Sequence, residues 1–198
     1  DTPKRIASAV ADLLNNDERR LGYAKVGQTL VDGYGVDRVA KRLNQGFWLR
    51  EVRDEDCKRL WEWANDPDVR KRSYDSAPIP WSDHQDWFDQ KMASPSCFIY
   101  IAEVRSRAVG QIRFDVDEHV ATVSVVVAPG CRGEGIGTRL IQEGSERFLH
   151  QYSGAKRVDA YIKTENAPSV RAFKKAGYQT QERLPVKGAS SYRLSYSG

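Results

Sequence analysis

The stretch Val125-Val126-Val127-Ala128-Pro129-Gly130-Cys131-Arg132-Gly133-Glu134-Gly135-Ile136-Gly137-Thr138 constrains the chain more than any other. Its uninterrupted valines read as a buried strand. Alternating glycines follow, and then a helical pattern with Ile136, Leu140, Ile141 and Phe148 on one face. Each glycine weakens regular structure by roughly 0.5–1 kcal/mol relative to alanine, so a series of them at a helix start marks a place where backbone must approach something closely. The unpaired amides of a first helical turn and the positive end of its dipole make such a place a cradle for a pyrophosphate. Spacing narrows the ligand. A P-loop needs lysine after the second glycine of its pair, and Gly130 and Gly135 are followed by Ile136. A dinucleotide fingerprint needs a third glycine where Thr138 or Leu140 stands.

Strands and helices alternate around this element. Strands are expected over 47–52, 97–104, 108–116, 122–127, 157–163, 178–184 and 191–196, with a turn at Arg105-Ser106-Arg107. Asp54 is expected to cap a helix that buries Cys57, Leu60, Trp61 and Ala64 and stops before Pro67. Ser82-Asp83-His84-Gln85 has the form of a capping box opening a helix to about Ala93. A last helix over 166–176 has Pro168 in its first turn and Gly177 after its end. The order β-α-α-β-β-β-α-β-α-β-β describes an α/β (α+β) domain over 46–198, a mixed central sheet with helices on both faces. Residues 1–45 read as a helical extension: Ile6, Val10, Leu13 and Leu14 share a face, Asp17 caps a second helix, and Val36, Val39, Ala40 and Leu43 form a third stripe. Asp1 stands where a methionine would, as in a segment cut from a longer chain.

Composition excludes several classes. With 29% charged residues, no apolar run near the ~20 residues of a membrane span and no signal-peptide pattern, the chain reads as soluble and cytoplasmic. Cys57, Cys97 and Cys131 are widely spaced without a CxxC pair, which favours reduced thiols over disulfides or zinc. His84, His119 and His150 form no ligand-spaced pair, so no metal is expected. The net charge of +4 suits a polyanionic small molecule and is too weak and dispersed for nucleic acid.

The pattern Arg132-x-x-Gly135-x-Gly137 after a strand resembles motif A of the GNAT superfamily of N-acetyltransferases. Asn166-Ala167-Pro168-Ser169-Val170-Arg171-Ala172-Phe173-Lys174-Lys175-Ala176-Gly177-Tyr178 resembles the family's second motif, and the similarity extends over 47–197. This resemblance implies a GNAT fold with acetyl-CoA as donor. The amides of Arg132, Gly133, Glu134, Gly135, Ile136, Gly137 and Thr138 would hold the CoA pyrophosphate. Val125 and Val127 would line the pantetheine like an added strand, and an amide near Val126 would stabilise the charge that develops in transfer. Asn166, Ser169, Phe173 and Lys175 would complete the cofactor site. Relatives move acetyl directly from thioester to amine, often with a tyrosine acid in the second motif and a glutamate on the strand before the loop. Here Phe173 replaces the tyrosine, and Ala121-Thr122-Val123-Ser124 offers no glutamate. The proton acceptor then falls to Asp115, Asp117, Glu118, His119 or His84. Asp115 leads because Gln111, Arg113 and Asp115 share one strand face; the competing reading is a solvated face with an Arg–Asp pair.

The acceptor side carries a second resemblance. Trp63-Ala64-Asn65-Asp66-Pro67, Tyr74 and Trp81-Ser82-Asp83-His84 resemble the acetyltransferases of pseudaminic acid biosynthesis. That implies a nucleotide-linked amino-deoxy sugar of surface-polysaccharide synthesis as acceptor, met by Arg72, Tyr74, Trp81, His84 and Arg113. The basic run Arg70-Lys71-Arg72 could face its phosphates, or be a solvated turn. Residues 13–20 and 31–40 resemble the C-terminal helices of nucleotide-sugar hydrolases and glycosyltransferases, which implies a fused upstream domain; a homodimer would also cover these helices. Two other readings stay open: acetylation of protein N-termini, as in the ribosomal-protein branch, and a non-catalytic CoA-binding sensor.

Overall fold

The computed structural model describes residues 46–198 and, of the segment before them, residues 8, 11, 12, 15–19, 21 and 22. The chain divides into two units, Asp1–Gln45 and Gly46–Gly198. In the first, residues 8, 11, 12, 17–19, 21 and 22 are helical. The apolar stripes through Ile6, Val10, Leu13 and Leu14 and through Val36, Val39, Ala40 and Leu43 lie outside the described residues.

The second unit runs β1 (Phe47–Glu51), α1 (Cys57–Ala64), α2 (Pro67–Arg72), α3 (Trp81–Ala93), β2 (Cys97–Val104), β3 (Arg107–Asp117), β4 (Val120–Val127), α4 (Ile136–Gln151), β5 (Arg157–Lys163), α5 (Ala167–Lys175), β6 (Gln179–Val186) and β7 (Ala189–Tyr196). Short 3-10 turns, Asp54–Asp56 and Pro129–Cys131, precede α1 and follow β4. The strands form one seven-stranded sheet in the order β1-β2-β3-β4-β5-β7-β6. Every neighbouring pair is antiparallel except β4 and β5.

Three helices, not two, separate β1 from β2. The additional α2 opens at Pro67, where the sequence signals only the end of α1: Asp66 accepts hydrogen bonds from the amides of Asp68 (3.1 Å) and Val69 (3.2 Å). Pro67 at the first helical position has the φ a helix needs and no amide to strand. In α1 the buried pair is Leu60 and Trp63, three residues apart on one stripe. Trp61 falls off that stripe and instead donates Nε1 to Ile79 O at 2.8 Å. The capping box at Ser82 does not form: α3 begins at Trp81 after Pro80, and the Ser82 hydroxyl, already inside the first turn, bonds Asp83 Oδ1 at 3.0 Å.

Helices cover both faces of the sheet. Alternation sends Ile112 and Phe114 of β3 toward α4. A Cβ on Gly144 of α4 would lie 2.9 Å from Ile112, and Phe148 stacks on Phe114 with ring centroids 4.4 Å apart. The other face of β3 meets α3, where Trp87 covers the Arg113 guanidinium at 5.0 Å. No helix among the described residues is long and apolar enough to cross a membrane.

Candidate active site

The site begins with a failure of pairing. β4 and β5 run parallel but pair only at Val120 with Arg157, Ala121 with Val158 and Thr122 with Asp159. Beyond Thr122 the strands splay, while β4 stays paired with β3 as far as Gly110 with Val127. Ala128 N bonds Val109 O at 2.9 Å, and hydrogen bonding alternates along an antiparallel strand. Val126 and Ser124 therefore spend their amides on β3, and Val125 and Val127 turn theirs toward the gap. The amide expected near Val126 is thus one of its two neighbours, Val125 or Val127, and not its own.

The gap leads into the glycine turn. Gly133 and Gly135 have φ of +84° and +80°, and a Cβ at either would meet nothing within 4 Å. Backbone conformation, not crowding, selects glycine at both positions. Gly135 is the N-cap of α4 and offers no side-chain oxygen; the first intrahelical acceptor, Gly135 O, serves Arg139 N at 3.1 Å. The preceding amides of the turn are left for a ligand. Arg132 fixes the loop from outside: Nη2 donates to Asp66 Oδ1 at 2.8 Å and Nε to Val127 O at 3.2 Å. The first of these ties the loop to the N-cap of α2.

A cavity of about 790 Å³ fills the wedge. Of the expected cofactor residues, Val125, Val126, Val127, Arg132, Gly133, Gly135, Gly137, Thr138, Asn166, Ser169, Phe173 and Lys175 line it. Glu134 and Ile136 do not line it; Glu134 is exposed, between two glycines whose φ values turn the backbone. Asn166 accepts the Ser169 amide at 3.4 Å as the N-cap of α5 while also lining the cavity. Phe173 is buried, with its ring edge-on to Tyr178.

Arg72 and Tyr74 reach the cavity, and the other acceptor-side candidates do not. Trp81 packs edge-on against Trp61 at 5.4 Å. Arg113 is sandwiched between Trp87 and Asp115. The catalytic candidates also lie outside the lining. Asp115 accepts Lys91 Nζ at 2.6 Å and Arg113 Nε at 2.8 Å. Burial opposes its charge, but the Arg113 charge and these hydrogen bonds prevail and hold the carboxyl below its usual range. Ion-paired under α3, it is a poor proton acceptor, so the Arg–Asp pair is the reading that fits. Glu118 is exposed in the β3–β4 turn, at the end of β4 where β5 is still paired.

His84 is 3% exposed and bonds Cys57 O through Nε2 at 3.0 Å, joining α3 to α1. Burial pushes its pKa below the ordinary value, against the Cys57 carbonyl. The neutral imidazole is thus favoured in the folded state, while the unfolded chain protonates freely. Its stabilising effect is complete above about pH 6.5 and is lost as pH falls through the lower folded pKa. Urea midpoints measured from pH 8 to 5 are expected to fall at the acid end, and His84→Gln to flatten that part of the profile. Parallel profiles for the two proteins would contradict this role.

Several lining residues were not singled out from sequence. The β5 wall (Ala160, Tyr161, Ile162, Lys163), Asp68 and Val69 on α2, and Arg171 on α5 all face the cavity. Arg171 sits in the quoted second motif, but the β5 wall becomes visible only once β4 and β5 are known to part. Among the described residues no cluster of three His, Cys, Asp or Glu side chains could hold a metal.

Known proteins match this architecture. An uncharacterized N-acetyltransferase of Methanocaldococcus jannaschii is 31% identical over 94 residues, which is 46% of this chain and 58% of that protein's own length. The spermidine N-acetyltransferase of Vibrio cholerae, solved with CoA and spermine, superposes with a TM-score of 0.68 at 11% identity, covering 76% of this chain and 95% of that one. An aminoglycoside acetyltransferase, AAC(6')-Ib, solved with coenzyme A, gives a TM-score of 0.66 at 18% identity over 76% of this chain and 94% of that one. The family model described as the acetyltransferase (GNAT) domain matches residues 47–179, across both glycine loop and second motif, and the chain belongs to that family.

Proposed function

We propose that this chain transfers the acetyl group of acetyl-CoA to a primary amine, and that the amine belongs to a nucleotide-linked amino-deoxy sugar. The observation that carries the transfer reading is the unpaired edge of β4 leading into the amides of the glycine turn. A pantetheine arm hydrogen-bonds like a strand, and a pyrophosphate needs converging amides at a helix start. One edge followed by one turn supplies both in sequence order. Family membership and the CoA-bound fold neighbours support the same donor.

When bound, acetyl-CoA supplies a thioester open to attack by an amine. Val125 and Val127 would hold the arm through their free amides, which are also available to the negative charge that develops. Asn166 fixes the start of α5 against the arm. Phe173 has no proton to give, and a thiolate whose conjugate acid has a pKa of about 8.5 can leave without one. Asp115, His84 and Glu118 lie outside the cavity lining, so the attacking amine would give up its proton to solvent water in the open cleft.

The nucleotide-linked acceptor is supported by the local resemblance over 63–84, by Arg72 and Tyr74 in the lining, and by the lining's charge. Among the described residues it presents Arg72, Arg132, Lys163, Arg171 and Lys175 against a single acid, Asp68, which is already paired with Arg132. A nucleotide-sugar hydrolase fused ahead of residue 46 and a cytoplasmic setting, where acetyl-CoA is made, complete the proposal. Thiol release is measured with a UDP-linked 4-amino-4,6-dideoxyhexose and with an N-terminal peptide. Turnover of the sugar nucleotide is expected. Turnover of the peptide alone would overturn the sugar reading, and CoA binding without turnover of either would overturn the enzyme reading.

A further inference from the structure

Cations in the lining divide between the two faces of the sheet. Arg171 and Lys175 belong to α5, which packs on the same face as α4: Tyr178, just after α5, bonds Ser145 of α4 at 2.7 Å and stacks on Tyr196 of β7. Leu194 and Tyr196 mark that face of β7, because alternate residues share a face. Lys163 pairs with Ser191, an odd position of β7, so it projects from the opposite face. Its ammonium lies 5.9 Å from the Tyr74 ring centroid, on the side reached by the segment after α2. Phosphates seated at residues 132–138 and beside α5 leave Lys163 and Arg72 unused. Neither has an acidic partner among the described residues, although both line the cavity.

Tyr74 defines what lies beside them. Its hydroxyl and Ser191 Oγ are 2.8 Å apart, and Ser191 Oγ is 3.1 Å from Ala189 O. A serine has one proton and a carbonyl only accepts, so Ser191 donates to Ala189 and Tyr74 donates to Ser191. Ser191 is fully buried, which fixes that order. The Tyr74 oxygen is left with lone pairs alone, a partner for the N–H of an amine.

We infer that Arg72 and Lys163 form an oxyanion subsite for the acceptor, with Lys163 on the sheet face opposite the α5 cations and the acceptor's amine at Tyr74. This deepens the proposed function and rests on its acetyl-CoA reading. It calls for an acceptor that carries an oxyanion, either the diphosphate of a nucleotide or a carboxylate. It disfavours polycations such as the spermine found with the Vibrio cholerae fold neighbour.

The test is calorimetry on the protein saturated with CoA, titrated with UDP and separately with L-glutamate. At least one probe is expected to bind with CoA in place, and to weaken tenfold or more in Arg72→Gln and Lys163→Gln while Lys175→Gln binds it normally. UDP binding assigns the oxyanion to a diphosphate, and glutamate binding alone to a carboxylate. Absence of binding by both probes, binding that displaces CoA, or equal loss in Lys175→Gln would overturn the subsite. Melting temperatures of the variants confirm that each is folded. If CoA itself does not bind, the donor reading fails separately, and the same titrations on the free protein decide the subsite by the same criterion.

Discussion

Gly135→Val is expected to raise the KM for acetyl-CoA by roughly ten- to a hundredfold. Gly135 has φ of +80° and ψ of −5° at the N-cap of α4, and nothing lies within 4 Å of where a Cβ would be. The new side chain meets no steric clash, so the cost is that of a β-branched residue in the left-handed region, about 1–3 kcal/mol. The loop escapes the strain by re-orienting the amides that open α4, and each 1.4 kcal/mol lost in binding is a factor of ten. Gly130 provides the control. It too has open space around its Cβ but has no positive φ, so Gly130→Ala should leave the KM unchanged. Equal KM values for Gly135→Val and the parent would mean that the turn's conformation does not matter to the donor.

Asp56→Ala is expected to cost about 3–5 kcal/mol of stability, the range for breaking a buried ion pair. Asp56 is fully buried and accepts Arg50 Nη1 at 2.6 Å, Arg50 Nη2 at 2.8 Å, Arg59 Nη1 at 2.5 Å and Arg53 N at 3.0 Å. Removal leaves the Arg50 guanidinium, on β1, with Glu103 as its one acidic partner among the described residues. Equilibrium urea unfolding measures the loss. Burial itself opposes the Asp56 charge, but the Arg50 hydrogen bonds and the other donors outweigh it and hold the carboxyl below the ordinary carboxylate range. The pair's contribution is therefore complete above about pH 4 and is lost as the pH falls through the lower folded value. A variant within 1 kcal/mol of the parent, a margin well inside the usual cost of such a break, would show that the pair only balances its own desolvation.

The part of the cavity along β4 and the glycine turn was legible because its signals are local. Valines, glycines and a helical stripe within residues 125–148 specify strand, turn and helix without reference to the rest of the chain, and Asn166 announces the next helix by its own side chain. The acceptor half depends on contacts between distant segments. Asp115 looked available on its strand, but Lys91, 24 residues away, neutralises it. His84 looked like a base in a first turn, yet its partner is the Cys57 carbonyl, 27 residues back. Lys163 and Tyr161 drew no notice because the parting of β4 from β5 is a property of the sheet. Helix α2 was signalled by Asp66-Pro67, but its brevity and basic run hid it.

Amide chemical shifts recorded while acetyl-CoA is titrated into the protein test the donor assignment most directly. The largest changes are expected at Val125, Val127 and the turn from Gly133 to Thr138, with Val126 changing less because its amide is engaged by β3. Saturation with no change at those positions, or changes centred on the Glu118 turn, would contradict the assignment of the β4 edge and glycine turn to acetyl-CoA.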